Sequence, residues 1–154
     1  MDDELNVEYV DLEPFRVAYL TYRPEGNPLD MFGQVKTVFE KVTDWAVGQG
    51  LNLKKQRLIG IPVVEDGILV SYDCCMEVPG DAVEEGVLFK MIPGGCYCVL
   101  VMSKDSEVIS KSIARFYDEY LPQHKLSVDE SRPVLELYTR DLMEYCVPVA
   151  EHEG

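Results

Sequence analysis

The sequence predicts an α+β fold: one antiparallel sheet carrying two long helices on one face, with a central groove. Three observations lead there. Apolar residues recur at helical spacing in two long stretches and alternate as in strands elsewhere. The strands come in hairpins, with turn signals such as Asp66-Gly67 between them. The order strand, long amphipathic helix, hairpin also occurs twice, over about 5–80 and 86–149. At 154 residues, one compact domain spanning 1–154 is expected.

Each element has its own reason. Val7 to Glu13 alternates loosely and reads as a strand that Pro14 breaks. Phe15 to Tyr22 is β-branched and aromatic, a stronger strand. Pro24, Gly26, Asn27 and Pro28 make a loop, and Asp30 is placed to cap a helix. In that helix Phe32, Val35, Phe39, Val42 and Ala46 form one stripe, widened by Val38 and Trp45 and stopped near Gly48 and Gly50. Gln56 to Val64 and Ile68 to Val78 form a hairpin closed by Pro79-Gly80-Asp81. Gly86 to Ile92 is a further strand. Pro93-Gly94-Gly95 turns it so that Cys96 to Met102 pairs back. Asp105 or Ser106 caps a second helix with Ile109, Ile113, Phe116, Tyr117, Tyr120 and Leu121 on its stripe, ending before Pro122. A polar loop, the strand Pro133–Tyr138, a turn at Arg140-Asp141 and the strand Leu142 to Val149 complete the chain. Ala150 to Gly154 reads as a frayed tail.

The repeat is carried by particular residues. Ala18 and Cys98 correspond, as do Pro79 and Pro148, and Met76-Glu77-Val78-Pro79 ends as Tyr145-Cys146-Val147-Pro148 does. Two such halves can merge their sheets about a pseudo-twofold axis. The groove where they meet then receives walls from both.

Composition excludes several classes. No run of about eighteen apolar residues exists, so no spanning helix and no membrane association is expected. Met1-Asp2-Asp3-Glu4 is acidic where a signal peptide is basic, which predicts a cytoplasmic protein. Cys74, Cys75, Cys96, Cys98 and Cys146 lie in apolar strands without metal or disulfide spacing and read as reduced core residues. His124 and His152 stand in polar surroundings, so neither a metal site nor a cofactor is expected. A net charge of −14, with small knots at Asp2-Asp3-Glu4 and Glu84-Glu85, repels nucleic acid and attracts cations or basic protein surfaces. It also serves solubility alone.

Glu136 stands out. In Pro133-Val134-Leu135-Glu136-Leu137-Tyr138, strand alternation puts Val134, Glu136 and Tyr138 on one face. The strand is either an edge whose glutamate faces water or the floor of an aromatic pocket. In a pocket the carboxylate meets a cation together with a ring face, or acts as a general base. Tyr97, beside the glycine turn whose bare backbone leaves room for a ligand, is either pocket or core. So are Tyr72 and Met76, which share a strand face with Cys74. Tyr117 and Trp45 are core or pocket wall, and Tyr19 is placed to reach the groove.

Taken together, Phe15-Arg16-Val17-Ala18-Tyr19, the Asp44-Trp45-Ala46 helix before Gly50-Leu51, Ile59-Gly60-Ile61, Ser71-Tyr72-Asp73-Cys74, Ile92-Pro93-Gly94-Gly95-Cys96-Tyr97-Cys98 and the Glu136 strand resemble the gyrase-inhibitor-like small-molecule-binding domains. These also form the effector-binding half of multidrug-sensing transcription activators. The resemblance runs from Val7 to Val149. It implies an aromatic pocket with a carboxylate at Glu136, for lipophilic cations and bulky drug-like molecules. Some members resemble hydrolases of strained cyclopropane-containing genotoxic compounds, which makes Glu136 the catalytic candidate there. Others bind gyrase. The activators' DNA-binding helix-turn-helix has no counterpart in this sequence. The loops Arg23 to Pro28 and Pro62 to Gly67 depart from the family's pattern at the expected pocket rim. The expectation is a small-molecule binding protein for sequestration or sensing, a monomer or weak homodimer. A hydrolase and a gyrase-interacting acidic module are the alternatives.

Overall fold

Strand Phe15–Tyr22 (β2) precedes an 18-residue helix, Met31–Gly48 (α1), and the hairpin Leu58–Glu65 (β3) and Ile68–Glu77 (β4) follows. The computed structural model describes residues 5–24, 31–52, 57–79, 86–138 and 142–151, without the side chains of Phe32, Ser106 and Glu151. The Asp30 cap, the Gly26–Pro28 loop, Gly80 and Asp81, the Arg140-Asp141 turn, both acidic knots and His152 lie outside the described residues.

The chain forms two compact units. One holds Pro14–Ile92 and is called the α1 unit below. Its strands are antiparallel in the order β3-β4-β2-β5, where β5 is Leu88–Ile92. The β3–β4 turn needs left-handed backbone at both central positions, and Asp66 (φ 52°) and Gly67 (φ 76°) supply it. Helix α1 ends in a Schellman motif. Gly50 has φ 77°, Leu51 N–H donates to Ala46 O at 3.0 Å, and Gly50 N–H donates to Val47 O at 3.0 Å. Val42 and Ala46 are fully buried against Met76, and Val35, Val38 and Phe39 pack on Tyr72 and Cys74. This is the stripe that the helical spacing predicts.

The other unit takes the residues up to Glu13 and those from Pro93 on. Its antiparallel order is β1-β6-β9-β8, from Val7–Leu12 (β1), Gly95–Ser103 (β6), Leu135–Tyr138 (β8) and Leu142–Glu151 (β9). A short strand, Leu126–Val128 (β7), pairs on β9. Helix Ser106–Arg115 (α2) is capped by Asp105, whose carboxylate accepts from Glu107 N–H at 2.9 Å and Val108 N–H at 3.3 Å. Phe116, Leu121, Leu100, Met102, Tyr145 and Val147 form the core beneath it. Among the described residues no helix is long and apolar enough to cross a membrane.

Several expectations are corrected. Cys96 to Met102 does not pair back on β5: β5 pairs with β2, and β6 lies between β1 and β9. Pro93-Gly94-Gly95 is therefore a joint between units. Gly95 has φ 124°, and Arg132 donates to the carbonyls on both sides of it. The second helix does not stop before Pro122. It makes a π turn over Phe116–Tyr120 and continues through Leu121–Gln123. Pro122 has no N–H, and in an α-helix its ring presses on the carbonyl four residues back. One wide turn, with Leu121 N–H donating to Phe116 O, lets the helix pass it. Ala150 and Glu151 are not frayed, because they pair with Ser127 and Leu126 of the segment expected to be a loop.

Candidate functional site

The β8–β9 hairpin places the carboxylate. Its register sets Glu136 opposite Tyr145 and Tyr138 opposite Met143. Opposed residues share a sheet face, so these four side chains point together, while Leu135 and Leu137 take the other side. Tyr145 and Met143 belong to the layer packed against the second helix, so Glu136 is on the helix-facing side. The π turn brings Tyr117 onto this layer. Its Oη lies 3.1 Å from Tyr145 Oη, with the two rings edge to face at 6.5 Å. Tyr138 Oη donates to Glu136 Oε1 at 2.9 Å. One half-buried carboxylate thus stands among three phenols.

The local field keeps two of these phenols protonated. Burial, the Tyr117 hydrogen bond and charge, and the Glu136 carboxylate all push the Tyr145 hydroxyl well above its ordinary range. Burial also raises Tyr117, with its bond to Tyr145 acting against the rise. Both hydroxyls remain neutral donors beside an acceptor. A carboxylate next to aromatic faces suits an organic cation, and a neutral phenol near it can donate a hydrogen bond to a bound group.

The structure joins Glu136, Tyr138 and Tyr117 and adds Tyr145. Tyr97 is elsewhere. It pairs with Pro148 on the opposite sheet face and is fully buried, with Oη donating to Pro93 O at 2.9 Å. The room expected at the glycine turn is filled: a Cβ on Gly95 would lie 2.6 Å from Arg132 Nη1. The Arg132 guanidinium stands 5.0 Å over the Tyr97 ring. It donates to the carbonyls of Gly94 at 3.4 Å and of Cys96 and Val149 at 3.1 Å, and to Asp129 at 2.8 Å.

The remaining candidates belong to the α1 unit. Tyr72 and Met76 are buried beneath α1, and Tyr72 meets Phe39 edge to face at 6.2 Å. Trp45 is half-buried, edge-on to Phe89 at 5.7 Å. Tyr19 lies on the face away from α1, with the Lys90 ammonium 4.2 Å from its ring centroid. Cys74, Cys75, Cys98 and Cys146 are buried as core residues, and burial first of all pushes the Cys74 and Cys75 thiols up to about 12 and Cys98 to about 11. A cleft of about 500 Å³ between α2 and β6 is lined by Leu100, Met102, Lys111 and Arg115 among others, and Glu136 is not in its wall.

Sequence reasoning missed Tyr145, Arg132, Asp73 and Lys90. A signal for Tyr145 existed, because the turn expected at Arg140-Asp141, taken as a two-residue hairpin turn, puts Tyr145 across from Glu136, and the strand register agrees.

Comparison with known proteins places this arrangement. No curated protein sequence matches the chain. The solved C-terminal domain of EcmrR is similar with a TM-score of 0.76 at 11% identity, over 96% of this chain and 99% of that one. A hydrolase from Listeria innocua has a TM-score of 0.65 at 10% identity, over 94% and 91%. SAV2435 bound to tetraphenylphosphonium has a TM-score of 0.61 at 15% identity, over 96% and 94%. At these identities the likeness is one of fold. The sequence itself matches the GyrI-like small molecule binding domain over residues 5–153, so with nearly its whole length accounted for the chain belongs to that family.

Proposed function

We propose that this chain binds a lipophilic or cationic drug-like molecule and acts in sequestration or sensing, with Glu136 as the anchoring carboxylate. The observation that carries the reading is the grouping of Glu136 with Tyr138, Tyr145 and Tyr117. Family membership supports it, as does the tetraphenylphosphonium bound to SAV2435. We also infer that the two units are copies of one strand–helix–hairpin unit. The orders β3-β4-β2 and β8-β9-β6 support this, since each sets the hairpin's second strand beside the strand that precedes the helix.

Calorimetric titration with tetraphenylphosphonium tests the reading. Glu136→Gln keeps the shape and removes the charge. A charge-assisted contact is worth roughly 1.5–3 kcal/mol, so affinity falls about tenfold to a hundredfold. Neutral triphenylphosphine oxide loses much less. Equal cation affinity in the variant and the parent, with the same melting temperature, overturns the assignment.

A hydrolase is the second reading. It is favoured by the geometry of Glu136 with hydroxyl donors around it, where the carboxylate can accept a proton from water and the phenols can hydrogen-bond the reacting group. Incubation with a strained cyclopropane electrophile then gives ring-opened product with the parent and none with Glu136→Gln.

A further inference from the structure

We propose that Asp73, Tyr19 and Thr21 form a binding site for primary alkylammonium ions, held in this structure by the chain's own Lys90. The residues come from three neighbouring strands. The register pairs Thr21 with Asp73 and Val17 with Lys90. Val17, Tyr19 and Thr21 alternate onto one face of β2, so all four polar side chains share the sheet face away from α1.

The geometry divides the carboxylate between two tasks. Thr21 Oγ1 donates to Asp73 Oδ1 at 2.6 Å, which fixes the group and leaves Oδ2 for a cation. Lys90 Nζ donates to that Oδ2 while lying 4.2 Å from the Tyr19 ring centroid. A carboxylate oxygen and an aromatic face therefore converge on one ammonium. The acid is the deeper partner, with its side chain 13% exposed against 31% for the lysine. Lys90 approaches from β5, the last strand in its unit's order, whose Leu88 and Met91 are exposed.

Such an arrangement is a site with a tethered occupant. A carboxylate this deep is costly without a counter-charge, so removing the lysine leaves a vacancy of defined chemistry. The vacancy offers an acceptor for N–H and a ring for the charge. A compact –NH₃⁺ satisfies both. A quaternary ammonium has no N–H to give. In the native chain the tethered ammonium holds the site at an effective concentration of order millimolar or above, so Lys90 is its resident occupant and a free amine binds only where Lys90 has been removed. The inference is independent of Glu136.

The test is rescue of the full chain. Lys90→Ala lowers the melting temperature by on the order of 10 °C. n-Propylammonium chloride then restores at least half of that loss, with a midpoint in the millimolar range. Sodium chloride at equal ionic strength, tetramethylammonium and 1-propanol do not. The parent shows no propylammonium-specific rise, and Lys90→Ala combined with Asp73→Asn is not rescued. Equal responses to propylammonium and sodium, or rescue that survives Asp73→Asn, overturn the proposal. Should Lys90→Ala fail to fold even with amine present, Lys90→Val, which suits a strand and also leaves space, is examined by ligand-observed NMR. Absence of propylammonium binding to it overturns the proposal as well.

Discussion

The two units set a strand carboxylate on opposite sides relative to their helices, Asp73 away from α1 and Glu136 on the helix side of its unit. In the α1 unit the layer under the helix is built from Val42, Ala46, Cys74 and Met76, all fully buried, and the charged pair Asp73–Lys90 lies on the other face. In the α2 unit the layer under the helix carries Tyr117, Tyr145 and Glu136, and the other face holds the fully buried Tyr97, Leu135 and Cys146. The same order of elements thus yields one helix whose buried layer is apolar but for tyrosine hydroxyls such as Tyr22, which donates to Gln34 Oε1, and another whose layer adds a carboxylate beside its tyrosines. A helix over an apolar core is held by packing. A helix over a polar seam is held partly by hydrogen bonds that a ligand can exchange for its own.

That contrast breaks or sharpens at particular residues. The largest loss is expected for Arg132→Ala, on the closed face of the α2 unit. The carbonyls of Gly94, Cys96 and Val149 lose their donor, at a cost of about 3 kcal/mol, read as a lower denaturant midpoint with unchanged slope. If Arg132→Ala leaves the midpoint in place, that face is not held by its guanidinium.

Gly60→Ala tests the closed core of the α1 unit. A Cβ there would lie 1.8 Å from Tyr72 Oη and 2.4 Å from Cζ, and the ring is wedged against Phe39. Overpacking of this kind costs about 2 kcal/mol. A core able to open like the seam would absorb the methyl with no change in melting temperature.

Tyr145→Phe removes one hydroxyl from the seam. It is expected to cost about 1 kcal/mol of stability and to weaken tetraphenylphosphonium binding in addition. Loss of stability alone would make the seam structural.

The smallest effect is the acid limb. Bonds from Ser131, then from Arg132, hold the Asp129 carboxyl down at about 2. A depressed carboxyl stabilises the fold above its unfolded value, near pH 4, and that contribution is lost as pH falls through about 2. Asp129→Asn therefore flattens the melting-temperature profile between those limits, so that the variant melts lower than the parent at neutral pH and level with it below about pH 2.

Much of this was legible in the sequence. The α1 stripe, the Asp66-Gly67 turn and the Asp105 cap each follow from local rules, and local rules decided them. The pairing of β5 and β6 did not follow, because it depends on which strands claim the free edges. Gly94-Gly95 reads as a turn until Arg132 reaches back to it from 38 residues away. The π turn was hidden for a related reason: a proline ends most helices, and only the packing of Phe116 and Leu121 makes a wide turn worthwhile here. At the candidate site, Glu136 was visible as a residue type out of place and Tyr138 as its neighbour on the strand face, while Tyr117 read as core or pocket wall on a helix stripe. Tyr145 looked like an ordinary strand residue until the register set it against Glu136. Nothing local reveals that Lys90 reaches over a ring on the neighbouring strand to Asp73, one strand further on.

The wide turn at Phe116–Tyr120 has a consequence for how this chain tolerates insertion and deletion. A π turn holds one residue more than an α-helix needs over the same span, so it is a stored insertion. Excising Asp118 or Glu119, both exposed, would let the helix close to α over the same span, so the residues beyond would stay in register and Leu121 would keep its seat in the core. What would go is the room for the ring: Pro122 would again press on the carbonyl four residues back. A one-codon deletion of an exposed acid is thus a helix-breaking change that alters no buried side chain.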